Sequence, residues 1–276
     1  MNMIDISRNR MFRISLVVGI LVVLGAGVFG SMGRVKRVLI VMDEHEQMEV
    51  LADYMKAKGR VASTIVDQKN LPDDLSSYDA VVGYIHGKLD RKTELAIIDY
   101  TKKGGKFICL HHMISSGKAK NEFYFDFLGI QLDKPGESKN PTTPGGGYAW
   151  RHPVDMTIVN VNPEHYITSH NIEWDRKIAY KSSDEPSVEK EYPAFEMKDT
   201  EFYLNHKFTD GRVKTVLLGF KTLDDRNGIT YMQDRAGWIK KQGKGRIVYL
   251  KMGHSTEDFR NPNVCQLILN AILWTP

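Results

Sequence analysis

The sequence predicts an α/β fold: a parallel sheet with helices on both faces, extended in its second half by mixed or antiparallel strands. Two patterns carry this. Before residue 113, short apolar runs alternate with amphipathic stretches and polar turns, the rhythm of parallel crossover units; beyond residue 147, strand-like runs follow one another with only turns between them. A third observation closes the sheet, because residues 237–274 again give strand, polar loop and helix.

Taken in order, residues 35–42 are a near-continuous apolar run interrupted by Lys36 and Arg37, which suits a first strand buried on both faces. The polar turn Asp43-Glu44-His45 follows, and residues 46–58 place Met48, Leu51, Ala52 and Met55 at helical intervals, with Gly59 as the expected stop. Residues 60–66 are the second strand, 67–78 a polar connection and 80–85 the third strand, ending at His86-Gly87. Residues 94–103 read as a helix terminated by Gly104-Gly105, and 106–110 as a fourth strand delivering His111 and His112. A short aromatic helix over 121–129 is expected to pack on the sheet through Phe123, Tyr124 and Phe127. Pro135, Pro141, Pro144 and Gly145-Gly146-Gly147 make 133–147 a loop and the best candidate for a mobile lid or insertion. Short strands are then expected over 156–161, 201–208, 214–222 and 228–233. Gly243 and Gly245 turn the chain into a strand over 246–252, which Gly253 ends. Asn261 as N-cap and Pro262 at the first helical position open a helix that buries Val264, Leu267, Ile268, Ala271 and Ile272. The polar hexad 253–258 lies between them, at the carboxyl end of a strand, where chemistry tends to sit in α/β folds.

The 276 residues, 42% hydrophobic and 26% charged, suffice for one large domain or two small ones. The formal net charge of +4 is spread without a block of like charge, so no nucleic-acid partner is expected. Cys109 and Cys265 fall in a strand and a helix, form neither a disulfide framework nor a metal pair by spacing, and read as packing residues. Residues 14–30 carry no charge and follow Arg8, Arg10 and Arg13, the pattern of a basic flank before an apolar core. Residues 1–33 are therefore expected to be a cleaved signal peptide or a retained membrane anchor, with 34–276 as the domain, exported to the periplasm or exterior. Membrane contact is expected only through that segment.

Of nine histidines, His45, His86, His111, His112 and His254 each follow an expected parallel strand and would lie along one edge of the sheet. Because adjacent residues of an extended strand point to opposite sides, only one of His111 and His112 is expected to face the cleft. His86, His111 and His254 together offer a divalent transition metal three imidazoles, with Glu44, Glu257 or Asp258 to complete the ligand set. No His-Glu-x-x-His, Gly-x-Ser-x-Gly, Walker or Gly-x-Gly-x-x-Gly pattern is present, which disfavours nucleotide binding and serine hydrolysis.

Gly243-Lys-Gly-Arg-Ile-Val-Tyr, Gly253-His-Ser-Thr-Glu-Asp-Phe and Asn270-Ala-Ile-Leu-Trp274 together resemble the closing signature of the ThuA-like (trehalose utilisation) family. Gly104-Gly-Lys-Phe-Ile-Cys-Leu-His111 resembles its central strand and histidine, and Asp199-Thr-Glu-Phe-Tyr203 its acidic-aromatic motif. The resemblance covers residues 34–276 and is loosest between 113 and 200. It implies a flavodoxin-like sheet of the class I glutamine amidotransferase-like kind and a place in disaccharide or oxidised-sugar metabolism. Here His111 stands near where an amidotransferase would carry its nucleophilic cysteine, which counts against glutamine hydrolysis.

The expected function is thus action on a small carbohydrate, a trehalose-type disaccharide or a keto sugar, by acid/base or metal-assisted chemistry. His111, His254, Glu201 and His206 are the expected catalytic groups. His45, His86, Tyr148, Trp150, Trp238 and Asp258 are expected around the substrate. Two alternatives stand beside this: a non-catalytic carbohydrate-binding or envelope scaffold protein, and an amidotransferase-like hydrolase using Cys109. The second is disfavoured because a strand-interior thiol lacks the exposure that reactivity requires.

Overall fold

In the computed structural model, residues 34–133, 147–184 and 188–275 are described. The apolar segment 14–30 lies outside them, as does the expected lid over 133–147 apart from Asp133 and Gly147. Among the described residues no helix is long and apolar enough to cross a membrane.

Crossover units open the chain as β1 (Lys36–Met42), α1 (His45–Gly59), β2 (Val61–Val66), β3 (Ala80–Tyr84), α2 (Arg91–Lys102) and β4 (Lys106–Leu110). A short helix α3 (Tyr124–Leu128) and strand β5 (Ile130–Gln131) follow. The second half runs through β6 (Ala149–Asn160), α4 (Tyr166–Ser169), β7 (Arg176–Tyr180), β8 (Lys190–Leu204), β9 (Lys207–Phe208), β10 (Lys214–Asp224) and β11 (Ile229–Gln242). It closes with β12 (Gly245–Leu250), α5 (Thr256–Arg260) and α6 (Pro262–Leu273).

Ten strands form one sheet in the order β2-β1-β3-β4-β12-β11-β10-β6-β8-β7, while β5 pairs with β9 in a separate ribbon. The pairings from β2 to β12 are parallel and those from β12 to β7 antiparallel. The parallel half has the flavodoxin-like order, in which ligands sit in the crevice beyond the carboxyl ends of the strands. Both faces are covered, as β1 shows: Val38 and Ile40 pack with Met48 and Leu51 of α1 and Leu267 of α6, whereas Leu39 and Val41 pack with Ile97 of α2 and Phe127 of α3.

Several local expectations change for identifiable reasons. The left-handed residue ending α1 is Arg60, with φ of 54°, and not Gly59. Gly59 serves packing instead, since a Cβ there would stand 2.3 Å from Leu269 Cδ1 on α6. The strand expected over 201–208 is two pieces, because Asn205 takes φ of 59° and turns the chain out of β8 into β9. Strand β7 has no counterpart in the expected list, and the polar hexad contains the start of a helix, α5, capped by the Ser255 side chain accepting from the Asp258 amide.

Candidate active site

The carboxyl ends of β3, β4 and β12 bring histidines to the crevice, and β8 crosses from the antiparallel half to meet them. His111 leaves β4 with φ of 40° and starts a tight 3-10 turn that runs to Ile114. That bend lets His111 and His112 both approach the same carboxylate, while only His112 of the two lines the cleft, as the alternation predicts. Beyond β12, Gly253 takes φ of 111°, and a Cβ there would stand 2.7 Å from the Phe259 ring. The Asp258 carboxylate then accepts from the His254 amide at 2.7 Å, the Gly253 amide at 3.2 Å and the Thr200 hydroxyl of β8 at 2.7 Å. Asp258 is therefore buried and occupied in fixing the His254 loop to β8, and it is not among the residues that line the cavity.

Glu201 of β8 is the centre of the cluster. Its Oε2 lies 3.0 Å from His111 Nε2, 3.6 Å from His254 Nδ1 and 3.8 Å from His112 Nε2. His111 Nδ1 lies 2.5 Å from the Lys251 carbonyl, which can only accept, so that nitrogen carries the proton. Burial and the neighbouring charges push the titration of these groups in opposite directions. Burial raises the Glu201 carboxyl, yet the hydrogen bond with His111 and the nearby His254 imidazole outweigh it and hold the group well below the usual carboxylate range. Burial lowers His111 and His112. At His254 burial also disfavours the charged form, but Glu201 overrides it and the imidazole is raised. The side chains of His111 and Glu201 are 0% and 8% exposed, that of His254 21%, so His254 is the member most open to the cleft.

A cavity of about 340 Å³ opens over this cluster, with Tyr148, Trp150 and Tyr203 on its wall and the hydroxyls of Ser115 and Ser116 at its rim. The Tyr148 and Tyr203 rings are stacked at 6.0 Å, and Trp150 is 53% exposed. His86 also lines the cavity but belongs to a second group: Asp43 accepts from its amide at 2.7 Å and meets its Nδ1 at 3.2 Å, and its Nε2 lies 3.5 Å from Glu44. The expected trio of His86, His111 and His254 is thus divided, with His112 taking the place of His86 around Glu201 and lying between the two groups. Lys118, buried, donates to the carbonyls of Ile85, His86 and His112 at 2.6, 3.0 and 3.1 Å, tying the two strand ends together. Burial pulls its ammonium down to about 8.

Other expected site residues stand elsewhere. His45 is exposed at the start of α1, where it meets Glu49 at 3.4 Å. Glu257 pairs with Arg260 on the surface. His206 and Trp238 are wholly buried against each other, the indole N–H donating to His206 Nε2 at 3.2 Å, with Phe208 and Tyr249 packed on the imidazole. An odd spacing from Glu201 and the turn at Asn205 send His206 away from the cleft. Cys109 lies in the core, its Sγ 3.6 Å from the Tyr124 hydroxyl, and burial pushes the thiol up to about 12. That environment opposes a nucleophilic role. Tyr203, Ser115, Ser116 and His152 reach the cleft without having been singled out; the His152 ring lies 4.2 Å from that of His254. Of these only Tyr203 carried a signal, since it stands two residues after Glu201 and so shares its face of β8.

A solved structure shares this architecture. A ThuA-like protein from Bacteroides uniformis superposes with a TM-score of 0.58 at 18% identity, over 89% of this chain and 94% of that one. A glutamine amidotransferase from Thermotoga maritima gives 0.44 at 14% identity, covering 87% of this chain and 97% of that one. A beta-galactosidase from Bacillus circulans gives 0.46 at 13% identity, over 84% of this chain but 30% of that one. No curated protein matches the sequence. The family pattern described as trehalose utilisation matches residues 37–275, and the chain belongs to that family, ThuA.

Proposed function

We propose that this protein is a carbohydrate-processing enzyme that takes a small sugar, a trehalose-type disaccharide or its keto derivative, into the strand-end cavity and activates a hydroxyl or carbonyl oxygen at the Glu201 cluster. One observation carries the reading: a buried carboxylate ringed by three imidazoles opens onto a cavity walled by aromatic rings. Trp150 offers a flat apolar face to a pyranose ring, backed by the stacked Tyr148 and Tyr203 rings, and Ser116 offers a hydroxyl partner. His254 and Glu201 reach the reacting atoms. Their opposed titration suits proton transfer near neutral pH, because the carboxylate stays charged and stabilises a protonated imidazole beside it. His111 and Asp258 are positioning residues, the one holding the carboxylate and the other the His254 loop.

Export belongs to the same proposal: the arginine-flanked apolar segment 14–30 would carry the domain to or across a membrane, where it meets sugars rather than nucleic acids. Incubation of wild type, His254→Ala and Glu201→Gln with trehalose, related disaccharides and their keto forms, followed by product analysis, tests the assignment. Turnover by wild type and its loss in both variants is expected. Equal turnover in His254→Ala removes that residue from the mechanism. Saturable sugar binding without turnover identifies a carbohydrate-binding module instead.

A further inference from the structure

We infer that His111, His112, Glu201 and His254 form a binding site for one divalent transition-metal ion of the zinc class, at the floor of the same cavity. Its part in turnover rests on the functional reading above; ion binding itself does not.

The four residues each present one ligand atom, and these atoms all lie within 4.8 Å of one another. Tetrahedral zinc, with bonds of about 2.0–2.2 Å, spaces its ligand atoms roughly 3.3 Å apart, so modest rotations of the rings complete the shell. The hydrogen bonding around His111 is that of a held ligand. Its Nδ1 proton goes to the Lys251 carbonyl, and its Nε2 lies 3.0 Å from Glu201 Oε2, an approach that needs a cation between them, a proton in the metal-free site or a metal ion in its place. Ligating imidazoles are fixed in this way, by donating the other ring N–H to a carbonyl or carboxylate.

The remaining donors are also short of partners. His254 Nδ1, 3.6 Å from Glu201 Oε2, is buried with no hydrogen-bond partner among the described residues, although buried polar atoms are nearly always paired, and His112 Nε2 lies 3.8 Å from the same oxygen, beyond hydrogen-bond reach. A proton joins one nitrogen to one oxygen, whereas here three imidazoles crowd a single carboxylate oxygen. A cation at their centre gives a partner to each of the nitrogens that face Glu201. Three imidazoles and one carboxylate suit zinc, iron or cobalt far better than magnesium or calcium, which prefer all-oxygen shells. The neighbouring group of Glu44, His86 and His112 is more open, and Asp43 already engages His86, so no ion is assigned there. A metal at the Glu201 site supplies a Lewis acid for a sugar oxygen or a water of lowered pKa.

The test uses the chain purified without a histidine tag, stripped with chelator and titrated with zinc by calorimetry and with cobalt by visible absorption. About one equivalent is expected, with the intense cobalt bands of a four-coordinate site. Glu201→Gln and His254→Ala, each shown to be folded by circular dichroism, should lose roughly 10- to 100-fold in affinity or more, while His86→Ala keeps one equivalent. Wild-type protein that takes up less than about a tenth of an equivalent, with no cobalt bands and an unchanged Tm on adding zinc, overturns the site. So does unchanged zinc affinity in folded Glu201→Gln. Carbohydrate turnover by chelator-stripped protein overturns the ion's role while sustaining the enzyme; stoichiometric zinc without turnover of any sugar sustains the site and counts against the carbohydrate reading.

Discussion

His111, just past β4, and His206, just past β8, are both wholly buried imidazoles at strand ends, yet they stand in opposite surroundings. Around His111 the structure gathers a carboxylate and two further imidazoles, and these three groups line a cavity. Around His206 it gathers Trp238, Phe208 and Tyr249, with the indole N–H filling the imidazole lone pair. Residue type and depth are the same in the two regions. What separates them is whether other ionisable groups converge and whether solvent has a way in, and topology decides that: β4 and β12 end side by side in the parallel half, and β8 brings Glu201 across to them.

The comparison is broken most directly at Glu201. Glu201→Gln keeps the shape of the side chain and removes its charge, and turnover should fall by about 10²- to 10⁴-fold if the cluster performs the chemistry. Glu196 of the same strand makes the control, since it is partly exposed, far from the cluster's contacts, and paired with Arg176 and Lys198 at 2.9 and 3.4 Å. Glu196→Gln should leave turnover unchanged and shift stability by less than about 0.5 kcal/mol. A comparable loss in both would mean that β8 as a whole, and not the cluster, had been disturbed.

Asp258→Ala comes next. It strands the Thr200 hydroxyl and the Gly253 and His254 amides, which are buried or partly so, and unfolding in urea should show a loss of about 2–4 kcal/mol. Thr200→Val removes only one of the three donors and should cost about 1 kcal/mol. If the two variants were equally stable, the carboxylate would not be the link between the halves that its contacts describe.

How much of this was legible before the structure follows the same division. The parallel half reads clearly because a strand buried on both faces must be apolar throughout, as residues 38–41 are, and because the helix between two such strands shows its period. The edge bearing the histidines followed from that alone. The membership of the cluster did not, because His111 takes a positive φ that brings it beside His112 at Glu201, and no residue near it signals that bend. In the antiparallel half, β7 and the full lengths of β8 and β11 depend on pairing with distant partners, which local composition does not encode. Glu201 was singled out through family resemblance and not through spacing. Trp238 and His206 were assigned to the site for their chemistry, when their neighbours in space had the deciding say.

A smaller effect is expected at the rim. Trp150 is half exposed, so Trp150→Ala should leave stability within about 0.5 kcal/mol of wild type. If its ring receives the sugar, KM should rise about tenfold with kcat little changed, the mark of binding lost equally from ground and transition states. A fall in kcat alone would place Trp150 nearer the reacting atoms than its exposure suggests.

The smallest effect on turnover belongs to the core side of the comparison. Trp238→Phe keeps the apolar bulk between Phe208 and Tyr249 and deletes the single N–H that satisfies His206 Nε2. A buried acceptor left without its donor costs about 1–3 kcal/mol, and the urea midpoint should fall accordingly. Turnover should stay within about twofold, because neither ring lines the cavity and neither contacts Glu201. A larger drop in kcat, in protein whose circular dichroism matches wild type, would tie the His206 region to the chemistry and erase the distinction between a histidine that reacts and one that packs.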